Sequence, residues 1–174
     1  MADREDEKAD RFGSEVSGGY AVSFSTGRTG AMSGGLNLEE MAGRIETNRK
    51  LGWYVYEQDG EVFGYAYAAK HRERAAYQWC CEVSVYIDER CRRKGVAALL
   101  YERLLRELKA KGYVNAYAVI TLPNEKSVGF HEKLGFMPIG VYEKIGFKFG
   151  RWHDVGWWAL RINEPGDSPV APIT

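Results

Sequence analysis

The stretch Trp79–Gly112 constrains this chain more than any other, because it reads as a strand, a short basic turn with a glycine, and a long amphipathic helix in direct succession. Trp79-Cys80-Cys81-Glu82-Val83-Ser84-Val85-Tyr86-Ile87 is rich in β-branched and aromatic residues, the composition of a strand. Arg92-Arg93-Lys94-Gly95-Val96-Ala97 makes the turn. Val96, Leu99, Leu100, Leu104, Leu105 and Leu108 then fall on one stripe of a helix, with Glu102, Arg103, Arg106 and Lys109 off it. A helix start carries unpaired N–H groups and the positive end of the macrodipole, so it is a seat for phosphate. Gly95 and Ala97 lack bulk and let such a group approach the backbone, and three cations stand just upstream. The other reading of this segment alone is a βα connection whose glycine only turns the chain, with the basic residues solvated.

Order and spacing narrow the choice. Arg92-x-x-Gly95-x-Ala97, after a strand and at the start of a helix, resembles the acyl-CoA pyrophosphate loop of the GNAT superfamily of N-acetyltransferases. Further on, Leu122-Pro123-Asn124-Glu125-Lys126-Ser127-Val128-Gly129-Phe130-His131-Glu132-Lys133-Leu134-Gly135-Phe136 is similar to that superfamily's second CoA-contacting helix. Gly146-Phe147-Lys148-Phe149-Gly150-Arg151-Trp152-His153-Asp154-Val155-Gly156-Trp157-Trp158 resembles the phosphinothricin/methionine sulfoximine N-acetyltransferase subfamily. The resemblance implies an α/β fold, a mixed central sheet flanked by helices. It also implies acetyl-CoA as cosubstrate, with Arg92, Arg93, Lys94, Gly95, Val96, Ala97 and Ala98 at its pyrophosphate and Asn124 and Ser127 at its pantetheine and phosphate region.

Composition excludes other classes. The 174 residues suit one domain with a substantial core. Lys+Arg and Asp+Glu are both 24, so no basic excess recruits nucleic acid. No apolar run approaches the roughly 18–20 residues that span a bilayer, and the polar start has no signal-peptide core. A cytoplasmic location is expected. The three cysteines lack zinc-ligand spacing, and no metal is expected.

Residues 3–15 are charged and read either as a short helix or as disorder, and residues 1–35 as a whole are atypical. The strand that opens the superfamily's fold is not evident and is expected to be missing or diverged. Tyr20-Ala21-Val22-Ser23-Phe24 resembles the family's element beside the acceptor site, which makes Phe24 a candidate substrate contact, although Ser25 stands where an acidic residue is usual. Asn37 and Glu40 form a capping pattern for a helix that Gly52 ends. Trp53–Glu57 and Glu61–Ala68 read as strands joined at Asp59-Gly60. Tyr113–Thr121 is the next strand, Pro123 is placed to open a helix running to Leu134, and Phe136–Phe147 and Trp152–Ile162 pair as the last two strands. The domain is expected to span 1–165, followed by a C-terminal tail at 166–174 that is loose from Pro169 to Thr174.

An amine must lose a proton before it attacks a thioester. Glu82, in an otherwise apolar strand, is the candidate general base, since burial raises a carboxyl pKa toward neutrality. The alternative is a structural ion pair with Arg72, Arg74 or Arg92. The resemblance favours the base through its Glu-x-x-Val-Tyr context. It also implies that main-chain N–H groups of Val85, Tyr86 and Ile87 bind the pantetheine and polarise the carbonyl. His131 occupies the position where many members place a tyrosine acid, and either protonates the departing thiolate or only packs and bonds to the backbone. Arg72 and Arg74 are either solvated or clamp the carboxylate or phosphinate of an acceptor. Lys148 and His153 are further candidate acceptor contacts implied by the resemblance. The aromatic C-terminal strands suggest a homodimer with composite sites.

The function implied is acetyl transfer to the α-amine of a small amino-acid-like acceptor of the phosphinothricin, methionine sulfoximine or methionine sulfone type. The alternatives are acetylation of a protein N-terminus or another amine, and a non-catalytic CoA-binding module.

Overall fold

The computed structural model describes residues 38–173. The expected missing or diverged first strand, and Phe24 with it, lie outside the described residues. Helix α1 (Leu38–Asn48) leads into β1 (Trp53–Gln58) and β2 (Glu61–Lys70), then β3 (Cys80–Ile87) and helix α2 (Val96–Ala110). β4 (Asn115–Leu122), helix α3 (Glu125–Lys133), β5 (Met137–Lys148) and β6 (Arg151–Arg161) complete the order. The six strands form one sheet in the order β1-β2-β3-β4-β6-β5. Only the β3–β4 pair, which flanks the α2 crossover, is parallel, so the sheet is mixed as expected.

Alternation along the strands divides the two faces. Cys81 and Val83 of β3, Ala66 and Ala68 of β2, and Ala116, Ala118 and Ile120 of β4 are buried in one core with Leu100, Leu104 and Leu108 of α2. Small residues on the strands let the bulky helix stripe come close to the sheet. Tyr101 joins this core fully buried, although it stands outside the stripe expected from the leucines. The opposite face carries Cys80, Glu82, Ser84 and Tyr86 of β3. Beside them Trp53, Tyr65, Tyr67 and Tyr86 stack across β1–β3 at centroid spacings of 4.5–5.4 Å between successive rings. Arg44 of α1 donates to the Tyr67 hydroxyl at 3.4 Å, tying α1 to this aromatic row.

Two expectations are corrected. Pro123 does not open α3. Its peptide bond with Leu122 is cis, and Asn124 is the N-cap, its Oδ1 accepting from Ser127 N at 3.2 Å. An asparagine side chain satisfies a free N–H of the first turn, which a proline one residue earlier cannot do. The tail is not loose, because Trp79 Nε1 donates to Val170 O at 2.9 Å and Ile173 N to Lys111 O at 3.0 Å. These bonds hold its backbone across the end of α2 while its side chains remain exposed.

Candidate active site

β3 and β4 are paired only at Cys80–Asn115, Cys81–Ala116 and Glu82–Tyr117. Beyond that point β3 continues to Ile87 against β2, and β4 continues to Leu122 against β6. The two strands therefore present facing edges, Val83–Ile87 and Ala118–Leu122, with main-chain groups that no strand between them satisfies. Backbone N–H and C=O groups demand partners, and an extended, amide-bearing ligand can supply them. Val85, Tyr86 and Ile87 lie on this open edge.

The loop after β3 is fixed from one side. Asp88 Oδ1 accepts from Arg90 N at 2.8 Å and from Arg90 Nε at 2.9 Å. Arg90 Nη2 also reaches Glu61 Oε1 at 2.7 Å, and Asp88 N bonds Phe63 O at 2.7 Å. The hydrogen bonds from Arg90 hold the Asp88 carboxyl down at about 2, so it stays an anion. This exposed network ties the end of β3 back to β2, a long-range partnership that no local motif signals. Past it, Arg92 pairs with Glu89 at 2.8 Å, Arg93 has φ 60° and Gly95 has φ 81°. Gly95 is the N-cap of α2 in the left-handed region, which favours glycine. A Cβ there would meet nothing within 4 Å, so the space over the loop is open. Arg92, Arg93, Lys94, Gly95 and Ala98 are exposed, Ala97 half-buried and Val96 buried. The first-turn N–H groups of α2 thus open onto accessible space beside three basic residues, an arrangement that can receive a phosphate group.

Glu82 sits where the two strands part. Its side chain keeps 30% of its exposure, and its Oε1 lies 2.9 Å from His71 Nδ1 and 3.9 Å from Arg72 Nη1. The carboxylate is therefore held by the His71 ring and the Arg72 guanidinium of the segment after β2 rather than enclosed by apolar walls. His71 directly precedes Arg72 of the expected clamp, and nothing in its sequence context points to Glu82. The His71 ring lies tilted by 32° against Tyr117 at 4.7 Å and meets Trp157 edge-on at 5.9 Å, and the Arg72 guanidinium lies 6.0 Å from the Trp157 ring. The Trp157 indole N–H is buried without a hydrogen-bond partner among the described residues. Arg74 precedes the short 3₁₀ turn Ala75–Tyr77, exposed and without a side-chain bond among the described residues. Of the expected clamp, Arg72 is at Glu82 and Arg74 is not in contact with it.

His131 is 4% exposed. Its Nδ1 lies 2.8 Å from Ser127 O, which can only accept, so Nδ1 carries the proton. Nε2 then accepts from the Tyr101 hydroxyl at 3.0 Å. Burial lowers its pKa and raises that of Tyr101, so both stay neutral. This is the geometry of the packed, backbone-bonded alternative, with neither nitrogen left for a departing thiolate. Ser127 braces His131, and Asn124 caps α3.

Lys148 and His153 are not brought to Glu82. His153 is 4% exposed and its Nε2 bonds Lys148 O at 3.1 Å near the β5–β6 turn. It lies four residues along β6 from Trp157, about 13 Å at strand rise. Lys148 Nζ, buried without a hydrogen-bond partner among the described residues, rests 5.0 Å over the Phe149 ring. Asp154 Oδ1 instead accepts from Lys144 N at 2.7 Å. Cys81 lies in the core on the other face of the sheet, where burial pushes its thiol pKa well up.

This arrangement has relatives. Residues 29–136 match the Acetyltransferase (GNAT) family. The chain is 42% identical over 123 residues to a phosphinothricin N-acetyltransferase of Streptomyces viridochromogenes, a match covering 70% of this chain and 67% of that one. It is 34% identical over 128 residues to an L-methionine sulfoximine/L-methionine sulfone acetyltransferase of Pseudomonas aeruginosa, covering 72% of this chain and 74% of that one. The crystal structure of a phosphinothricin acetyltransferase from Sinorhizobium meliloti in complex with acetyl-CoA superposes with TM-score 0.67 and 32% identity, covering 75% of each chain. The chain belongs to the GNAT family of acetyltransferases.

Proposed function

We propose that this acetyltransferase carries acetyl from acetyl-CoA to the α-amine of a small amino-acid-like acceptor with a carboxylate or phosphinate, of the phosphinothricin, methionine sulfoximine or methionine sulfone type. The observation that carries the reading is the parting of β3 and β4 at Glu82, next to the open first turn of α2. The diphosphate rests on main-chain N–H groups of Arg93–Ala98. The pantetheine runs along the edge of Val83–Ile87, and the thioester arrives beside Glu82. N–H groups of Val85–Ile87 stabilise the oxyanion, an effect worth about 3–4 kcal/mol per donor in acyl transfer. Arg72, 3.9 Å from Glu82, offers a guanidinium for the acceptor's oxyanion, and the unpartnered Trp157 N–H offers a second donor.

Glu82 supplies the carboxylate that draws the ammonium proton. Attack is direct: Cys81 is buried in the core on the other face of the sheet, and Cys80, on the face of Glu82, has the Asn115 amide at 3.9 Å rather than a base against its sulfur. The chain works as a cytoplasmic homodimer. The edge strand β5 exposes Met137, Ile139, Val141, Ile145 and Phe147, an apolar row that a second copy would cover.

The test is thiol release from acetyl-CoA against methionine sulfoximine, phosphinothricin, the standard amino acids and a peptide N-terminus. Turnover confined to the first two groups supports the reading. Turnover on the peptide alone replaces the acceptor. Tight acetyl-CoA binding with no thiol release from any amine leaves a binding module.

A further inference from the structure

We infer that the atom accepting the acceptor's proton is His71 Nε2, with Glu82 as the carboxylate that orients and steadies that imidazole. The inference rests on the acetyl-transfer reading of the same site and relocates one role within it. His71 Nδ1 is 2.9 Å from Glu82 Oε1. A neutral imidazole facing an anionic carboxylate must present N–H to it, since two lone pairs would repel. The proton therefore sits on Nδ1, and Nε2 carries the free lone pair. No hydrogen-bond partner is found for Nε2 among the described residues, in contrast to His131, whose two nitrogens are both engaged.

The ring is held rather than loose. It keeps 15% of its side-chain exposure, lies against Tyr117 at 4.7 Å and touches the edge of Trp157. Tyr117 is also the β4 partner of Glu82 at the last paired position, so the imidazole is anchored at the mouth of the opening. A general base oriented by a carboxylate on its far nitrogen is a recurrent solution for activating a nucleophile. The charged groups around His71 balance. Glu82 on β3 is the anion that faces the ring, and Arg72 shares the same carboxylate at 3.9 Å. Lys70 and Glu73, paired with each other at 2.8 Å, stand on either side of His71 in the chain, and Tyr117 and Trp157 are neutral faces.

The step balances as follows. An N–H bond of the acceptor's ammonium breaks and an Nε2–H bond forms. The freed electron pair attacks the thioester carbon, and the tetrahedral intermediate collapses with cleavage of the C–S bond. The nitrogen's second proton ends on the departing sulfur, and the proton on Nε2 passes to water to reset the ring.

The experiment compares wild type with His71→Phe, which keeps a flat ring on Tyr117, and His71→Asn, which keeps a hydrogen bond to Glu82. Acetyl-CoA Kd by calorimetry and kcat/KM across pH are measured for each. Nitrogen-15 spectra of the wild-type imidazoles report the tautomers. Expected are an unchanged Kd, a loss of about 100-fold or more in kcat/KM in both variants, disappearance of the imidazole-controlled acidic limb, and an Nδ1–H tautomer for His71. Either variant retaining kcat/KM within about threefold with the same acidic limb, or an Nε2–H tautomer, overturns the inference. A wild-type chain that releases no thiol with any amine removes the acetyl-transfer reading and this inference together, whereas an active wild type with unaffected variants removes this inference alone.

Discussion

Glu82 and Tyr117 face each other as the last paired residues of β3 and β4, and the sheet opens immediately beyond them. The carboxylate is thereby fixed at a point where two backbone edges separate, so that an extended ligand finds unpaired amides next to an ionisable side chain. Changing Glu82 to Gln preserves volume and removes the charge. It is expected to lower kcat by about 10²–10⁴-fold, the usual span for losing acid–base assistance, while acetyl-CoA Kd stays within about twofold. Stopped-flow thiol release and calorimetry on the same preparation check both halves.

Gly95 controls the diphosphate seat through conformation rather than packing. Its φ of 81° is costly for a residue with a Cβ, by about 1–2 kcal/mol, although the Cβ itself would meet nothing within 4 Å. Gly95→Val is therefore expected to lower Tm by a few degrees and to weaken acetyl-CoA at least about tenfold, because a turn that relaxes to negative φ re-aims the first N–H groups of α2. Desulfo-CoA and 3′-dephospho-CoA should lose affinity in parallel, since all share the diphosphate.

The two arginines after β2 are not equivalent. Arg72 shares Glu82 with His71, while Arg74 stands apart at the start of a 3₁₀ turn. Arg72→Ala should raise KM for a carboxylated acceptor by about 10–100-fold, the range for losing a hydrogen bond to a charged group, and leave KM for a simple alkylamine unchanged. Arg74→Ala should change neither by more than about threefold. Steady-state kinetics with one acceptor of each kind separates the two residues.

Edge strand β5 leaves Met137 68% and Ile139 59% exposed. Long exposed apolar edges are hazards unless covered. Light scattering is expected to give a dimer at micromolar concentration for wild type and a monomer for Ile139→Lys. A monomeric wild type would leave β5 without a second copy to cover it.

Much of this was readable from residues whose meaning is local. Asp59 and Gly60 turn the β1–β2 hairpin with φ of 53° and 80°, the turn that their side chains favour. The leucine stripe and Gly95 placed α2, with its observed span Val96–Ala110. Side-chain partnerships across long separations were not readable. Tyr101 meets His131 thirty positions away only because α2 and α3 converge beside Phe136. His71 meets Glu82 only because β2 ends at Lys70 opposite Cys81, and no periodic pattern in the intervening segment fixes that register. Pro123 misled because its frequent role at the first helical position competes with the capping ability of the asparagine beside it.

The buried Tyr101–His131 pair makes stability depend on acidity. Burial holds the folded pKa of His131 below its ordinary value of 6.5, so between the two values the unfolded chain binds more protons than the folded one. Stability therefore rises with pH through that window, and it falls as pH drops below about 6.5, where the unfolded imidazole gains its proton first. His131→Asn has no such group. In scans from pH 7.5 to pH 5, wild-type Tm should fall more steeply than the variant's, even though the variant is less stable at pH 7.5 for want of the Tyr101 bond, by about 1–3 kcal/mol for a buried polar group left unpaired. Parallel slopes for the two proteins would mean that His131 is not the buried neutral imidazole described, and would restore it as a candidate proton donor.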